Sequence, residues 1–191
     1  MDEIVKAALK KWPQVPPCHG WLALDVRGNW YMRDDQVQHA GPFPQVKGSR
    51  IDHDKLKDFI HRNYEADAAG CWFFQNGPQR VYVELEAAPW IWRVQWRDAG
   101  LTVTAHTGRA APPSQWRGTW LDEHGRLYLD TELGFGIVHT QDVGEAARAV
   151  ETGLWQPGEV ASAVMPRRFG YVLSPQAQQA ARVPESTLPA R

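Results

Sequence analysis

Trp21-Leu22-Ala23-Leu24-Asp25-Val26-Arg27-Gly28-Asn29-Trp30-Tyr31 and, far downstream, Trp120-Leu121-Asp122-Glu123-His124-Gly125-Arg126-Leu127-Tyr128 read as one motif used twice. Each copy places Asp-x-x-Gly-x-apolar-Tyr after an aromatic-led run. A turn of that kind between aromatic-rich runs is a β-hairpin signal. Two copies predict two related β-rich units. The expected fold is therefore α+β: mostly antiparallel β-sheets in two similar β-rich units with a few short helices.

Working outward, residues 2–11 carry Ile4, Val5, Ala8 and Leu9 on one stripe and predict an amphipathic helix that ends at Trp12-Pro13. Residues 40–49 read as a loop. Asp52 stands where a helix N-cap would, ahead of a helix over 53–65 whose Leu56, Phe59, Ile60 and Tyr64 share one face. Cys71-Trp72-Phe73-Phe74 and the alternating Val81-Tyr82-Val83-Glu84-Leu85-Glu86 flank Gln75-Asn76-Gly77-Pro78-Gln79, a second hairpin signal. Residues 90–97 and 101–107 form a further pair joined by Asp98-Ala99-Gly100. Ala110-Ala111-Pro112-Pro113-Ser114 is the expected boundary between units. Beyond it come a hairpin over 118–131, a strand over 134–140, a helix over 143–152 capped by Asp142, and a short strand at 169–173. The expected division is 1–109 for the first unit, 110–173 for a smaller second unit packed on it, and 174–191 for a Gln/Ala/Pro-rich loose tail.

Composition narrows the function. The 191 residues are 43% hydrophobic and 23% charged, enough for a core, and the net charge of −1 removes the general electrostatic attraction on which nucleic-acid binding depends. No apolar run of about 18 residues exists to span a membrane, and the acidic, amphipathic start is unlike a signal peptide. With only two cysteines, Cys18 and Cys71, a cytoplasmic location is expected.

Phe59-Ile60-His61-Arg62-Asn63-Tyr64 followed by Gly70-Cys71-Trp72-Phe73-Phe74-Gln75-Asn76-Gly77-Pro78-Gln79-Arg80-Val81-Tyr82-Val83-Glu84-Leu85-Glu86 resembles a small proteobacterial family of unknown function. Lys11-Trp12-Pro13, Pro16, Cys18 and Gly20-Trp21-Leu22 resemble its N-terminal part. More loosely, Asp25 to Trp30 and Glu86-Ala87-Ala88-Pro89 are similar to a bacterial domain-of-unknown-function family of two β-rich repeats. That second resemblance implies pleckstrin-homology-like repeats and a binding or signalling role; neither resemblance implies an activity.

No Gly-rich phosphate loop or nucleophile elbow is present. Cys18-His19 with Cys71 lacks the paired spacing of a zinc site, and His53 and His61 lie two helical turns apart, too far to share an ion; no metal or cofactor is expected. Glu84 and Glu86 share one side of their strand and read as its solvated face rather than an acid–base pair. His106, His124 and His139 fall on or beside strands, where Asp122 or Asp142 could support one as a general base.

The ten tryptophans read mainly as core, or else as a stacking face. The loop residues Gln75, Asn76, Gln79 and Arg80, with Trp92 and Arg93, form the candidate binding surface. The expected function is a cytoplasmic binding or regulatory module without a catalytic site. Its partner would be another protein or a small ligand, with self-association through a sheet edge open. The alternatives are a small hydrolase or isomerase with a histidine base, and an aromatic-face binder of a sugar or nucleobase.

Overall fold

The computed structural model describes residues 1–182; residues 183–191, part of the expected tail, lie outside the described residues. The chain runs α1 (Glu3–Lys11), β1 (Cys18–Leu24), β2 (Trp30–Met32), α2 (Asp35–Ala40), β3 (Ser49–Arg50), α3 (Asp54–Arg62), β4 (Tyr64–Ala66), β5 (Trp72–Asn76) and β6 (Gln79–Leu85). It continues through β7 (Trp90–Arg97), β8 (Gly100–Ala105), β9 (Trp116–Leu121), β10 (Leu127–Thr131), β11 (Gly134–Val138), α4 (Val143–Glu151), β12 (Gly158–Glu159), α5 (Met165–Phe169) and α6 (Pro175–Arg182).

Two six-stranded sheets result, ordered β3-β2-β1-β6-β5-β4 and β12-β9-β10-β11-β7-β8. Pairing is mostly antiparallel, the exceptions being β1 with β6, β11 with β7, and β12 with β9. Each sheet contains the same device. A three-stranded meander (β4-β5-β6 or β9-β10-β11) lays its last strand parallel to the first strand of a hairpin (β1-β2 or β7-β8). The two units are therefore similar, as the sequence predicts.

The units do not divide where the sequence suggests. β7 and β8 were expected in the first unit but lie in the second sheet, where β7 pairs with β11 and β8 with β7. The chain changes sheets at Ala87-Ala88-Pro89, not at 110–114, because the parallel β7–β11 pairing joins segments distant in sequence.

The repeated motif folds as one turn in both places. Asp25 Oδ1 accepts from the Arg27 and Asn29 amides, each at 2.9 Å, and its Oδ2 accepts from the Tyr31 hydroxyl at 3.0 Å. Asp122 repeats this with His124 N (3.0 Å), Arg126 N (2.8 Å) and Tyr128 Oη (3.0 Å). Both carboxylates are buried. A third copy stands at Asp67, which accepts from Ala69 N, Cys71 N and the hydroxyl of Tyr82, a tyrosine borrowed from β6. Topology pairs this third turn, between β4 and β5, with the Asp122 turn between β9 and β10. The Asp25 turn lies between β1 and β2, so the sequence echo and the structural repeat are different relations.

Asp122→Ala strips acceptors from two amides and a hydroxyl at once. It is expected to cost about 2–3 kcal/mol, read as a lower urea midpoint. An unchanged midpoint would mean water replaces the carboxylate without loss.

Several local expectations shift. α3 is capped by the His53 ring, which accepts from Leu56 N, not by Asp52, and it ends at Arg62 because Tyr64 starts β4. Asp142 precedes α4 but makes no side-chain cap; its carboxylate is held by Arg93. The loop at 40–49 is preceded by α2, and 165–169 is helical rather than leading into a strand. The expected tail is ordered through Arg182: Gln176 N donates to Glu84 and Gln176 Nε2 to Gln38, which fastens α6 over the first sheet. Glu84 is consequently buried, not solvated, and burial raises its pKa. Glu86 pairs with Lys47 at 3.0 Å.

Candidate functional site

The two sheets meet through aromatic rings. Tyr64 and Trp72 from the first sheet pack edge-on against Trp90 of the second, and Tyr64 donates to the Pro89 carbonyl. Beside this seam opens a polar cleft of about 600 Å³. Its walls come from the Asp25 turn (Arg27, Gly28, Asn29), from α3 and its approach (Asp52, Asp54, Lys57, Asp58, His61), and from the second sheet (Arg93, His106, Gly108, His139).

The Asp25 turn reaches the second sheet through Gly28. At φ +77° this residue favours glycine, and a Cβ there would sit 3.1 Å from the His106 Cβ. His106 belongs to a turn built like the aspartate turns: Gly108 N donates to Ala105 O, and Ala105 N to Arg109 O. Alanine stands where the others have aspartate, which hides this turn from a motif search.

The histidines of the cleft have fixed proton positions. His61 Nε2 accepts from the Trp30 indole at 2.9 Å. His106 Nδ1 accepts from Ile91 N at 3.3 Å, and His139 Nδ1 from Gln141 N at 3.1 Å. Indole and amide groups only donate, so each ring uses its basic nitrogen as acceptor and carries its proton on the other. His139 directs that other nitrogen at the Arg27 carbonyl. His106 leaves its Nε2 sealed from solvent without a hydrogen-bond partner among the described residues, inside a cage of Trp30, Tyr64, Trp90 and His61 rings whose centroids lie 5.6–6.0 Å away.

Burial lowers the pKa of all three; for His106, with His61 adding to the effect, it falls to about 3. The three rings are neutral near pH 7. Arg93, a lining residue, is held by Asp142 through contacts of 2.6 and 3.0 Å. Burial opposes the ionised form of Asp142, but the Arg93 hydrogen bond holds its pKa below the usual carboxylate range.

The six residues expected to form a binding surface are not gathered in one place. Gln75 is buried, its amide nitrogen on the Gly77 carbonyl. Asn76 is exposed, Gln79 is half-buried, and Arg80 lies 4.0 Å above the Phe73 ring, all on the β5–β6 hairpin. Trp92 is in the core of the other sheet, 0% exposed, donating to Leu129 O, and so presents no face to a partner. Of the six, only Arg93 lines the cleft.

The tryptophans divide unevenly. Trp30, Trp72, Trp90, Trp92 and Trp155 are buried, and only Trp12 and Trp21 are strongly exposed. His124 sits apart from the cleft on the Asp122 turn, beside Glu123. Both cysteines are free, and no group of three or more His, Cys, Asp or Glu among the described residues is placed to hold a metal ion. No helix among the described residues is long and apolar enough to cross a membrane.

The cleft escapes sequence reading because its parts are distant along the chain. His61 follows Phe59 in the sequence, but His106 has no aromatic residue near it there, so no local signal joins the two.

Comparison with known proteins gives a family. The family model DUF2944, described as "Protein of unknown function (DUF2946)", matches residues 1–183. No curated protein matches the chain. Two solved structures are similar. A DUF1285 family protein from Silicibacter pomeroyi DSS-3 is 13% identical, with 79% of this chain and 84% of that one covered and a TM-score of 0.49. Another from Shewanella baltica OS155 is 15% identical, with 67% and 91% covered and a TM-score of 0.43. The expected resemblance to a family of unknown function is borne out.

Proposed function

The chain belongs to the DUF2944 family of proteins of unknown function, and we propose that it is a binding module whose ligand site is the cleft at the seam of the two sheets. One observation carries this: in a cleft of about 600 Å³, within the size range of small-molecule sites, every histidine has its basic nitrogen already occupied by an N–H donor. Such rings are poor proton acceptors. His61, whose Nδ1–H has no partner among the described residues, is a fixed donor instead. The arrangement favours holding an oxygen-bearing ligand over abstracting a proton from it.

The test is a thermal-shift screen of small polar compounds, with hits mapped by the His61 ring resonances in NMR. Hits are expected to move those resonances and to bind about tenfold more weakly to His61→Ala. Hits that leave His61 untouched and move the backbone signals of 75–80 would return the site to the β5–β6 hairpin. A screen without hits would remove the small-ligand reading.

A further inference from the structure

We propose that this cleft takes a small zwitterion, a molecule of amino-acid size bearing both an ammonium and a carboxylate; the inference rests on the binding reading above. Its basis is the arrangement of charge on the two walls. The α3 wall carries Asp52, Asp54 and Asp58 with a single cation, Lys57, while Arg27 and Arg93, which line the cleft from other elements, are cationic. Most of these charges are already paired. Lys57 holds Asp54 at 2.9 Å, Arg50 holds Asp52 at 2.7 Å, and Arg93 holds Asp142 at 2.6 Å.

Two charges remain. Arg27 and Asp58 are both exposed, line the same cleft, and form no ion pair with each other or with any other described residue. Asp58 sits on α3 and Arg27 on the Asp25 turn, so the two come from different walls. An unjoined cation and anion in one cleft match a ligand carrying the opposite pair. A bare anion would gain Arg27 but face the acidic wall; a bare amine would gain Asp58 but face the arginines. The His61 Nδ1–H adds a donor suited to a carboxylate oxygen.

The experiment is titration calorimetry of the intact protein with each proteinogenic amino acid. For every responding one, the amine lacking its carboxylate and the acid lacking its ammonium are titrated as well. The amino acid is expected to bind at least about tenfold tighter than either stripped analogue, since each removes one charge-assisted contact. Arg27→Ala should abolish the advantage over the amine, and Asp58→Asn the advantage over the acid. Both side chains are exposed, so unchanged circular dichroism is expected for both variants. Equal binding of a stripped analogue would overturn the proposal. So would silence from every amino acid. If the thermal-shift screen still finds ligands that move His61, the zwitterion fails and the binding site stands; if it finds none, both fall.

Discussion

Replacing Gly136 by alanine is expected to destabilise the protein by about 3 kcal/mol, the largest effect of any single-methyl addition to the second sheet. Gly136 lies in β11 opposite Trp90. A Cβ there would stand 2.4 Å from the Trp92 Nε1 and 2.6 Å from both the Cβ and the backbone oxygen of Trp90. The clash with backbone cannot be relieved by a rotamer change. Moving the Trp92 indole would break its 3.0 Å bond to Leu129 O and leave a buried donor without a partner. Urea unfolding followed by tryptophan fluorescence gives the measurement. Gly144→Ala is the control: Gly144 is helical, its Cβ would meet nothing within 4 Å, and the substitution should stabilise by about 0.5–1 kcal/mol. Two alanines of opposite sign would establish that β11 is kept bare to admit the indoles. A Gly136→Ala variant as stable as the parent would refute that packing.

The same indoles explain how much of the fold was legible. Aromatic-rich runs around Asp-x-x-Gly and Asn-Gly turns are local signals, and the hairpins they predict at Asp25, Gln75 and Asp122 are present. Helical periodicity placed α1, α3 and α4 within a few residues. Pairing between distant strands leaves no such mark. Nothing in Trp90-Ile91-Trp92 says that it runs parallel to Gly136-Ile137-Val138, so the unit boundary was misplaced. α6 was missed because its order comes from tertiary contacts, Gln176 on Glu84 and Gln178 on Cys71, in a segment whose composition resembles a tail. The site was the least legible part. Trp92 and Arg93 are sequence neighbours with opposite fates, one sealed in the core and one turned to Asp142 at the rim. A strand's alternation allows this but does not say which face is outside.

Acid is expected to weaken the protein well above the pH at which its carboxylates protonate, and His106 should account for the largest share. Its pKa is about 3 in the folded chain against 6.5 unfolded, because burial among four aromatic rings disfavours the imidazolium and neighbouring His61 adds to the effect. The folded state therefore binds fewer protons than the unfolded state between those two values. Stability from this group is complete above pH 6.5 and declines as the pH falls toward 3. From neutrality to about pH 4 the loss amounts to at most roughly 3 kcal/mol. His61 and His139, also lowered, act in the same direction. Asp25, Asp122 and Asp142, held below the usual carboxylate range by their hydrogen bonds against the effect of burial, contribute only at lower pH. His106→Asn isolates the effect, since an amide oxygen can take over the bond from Ile91 N while carrying no titratable proton. The variant should be less stable at pH 7 for want of packing, yet its urea midpoint should fall less steeply between about pH 6.5 and 4. Parallel slopes for the two proteins, or a His106 ring signal titrating near 6.5, would mean that water reaches the ring and that the aromatic cage at the seam is open.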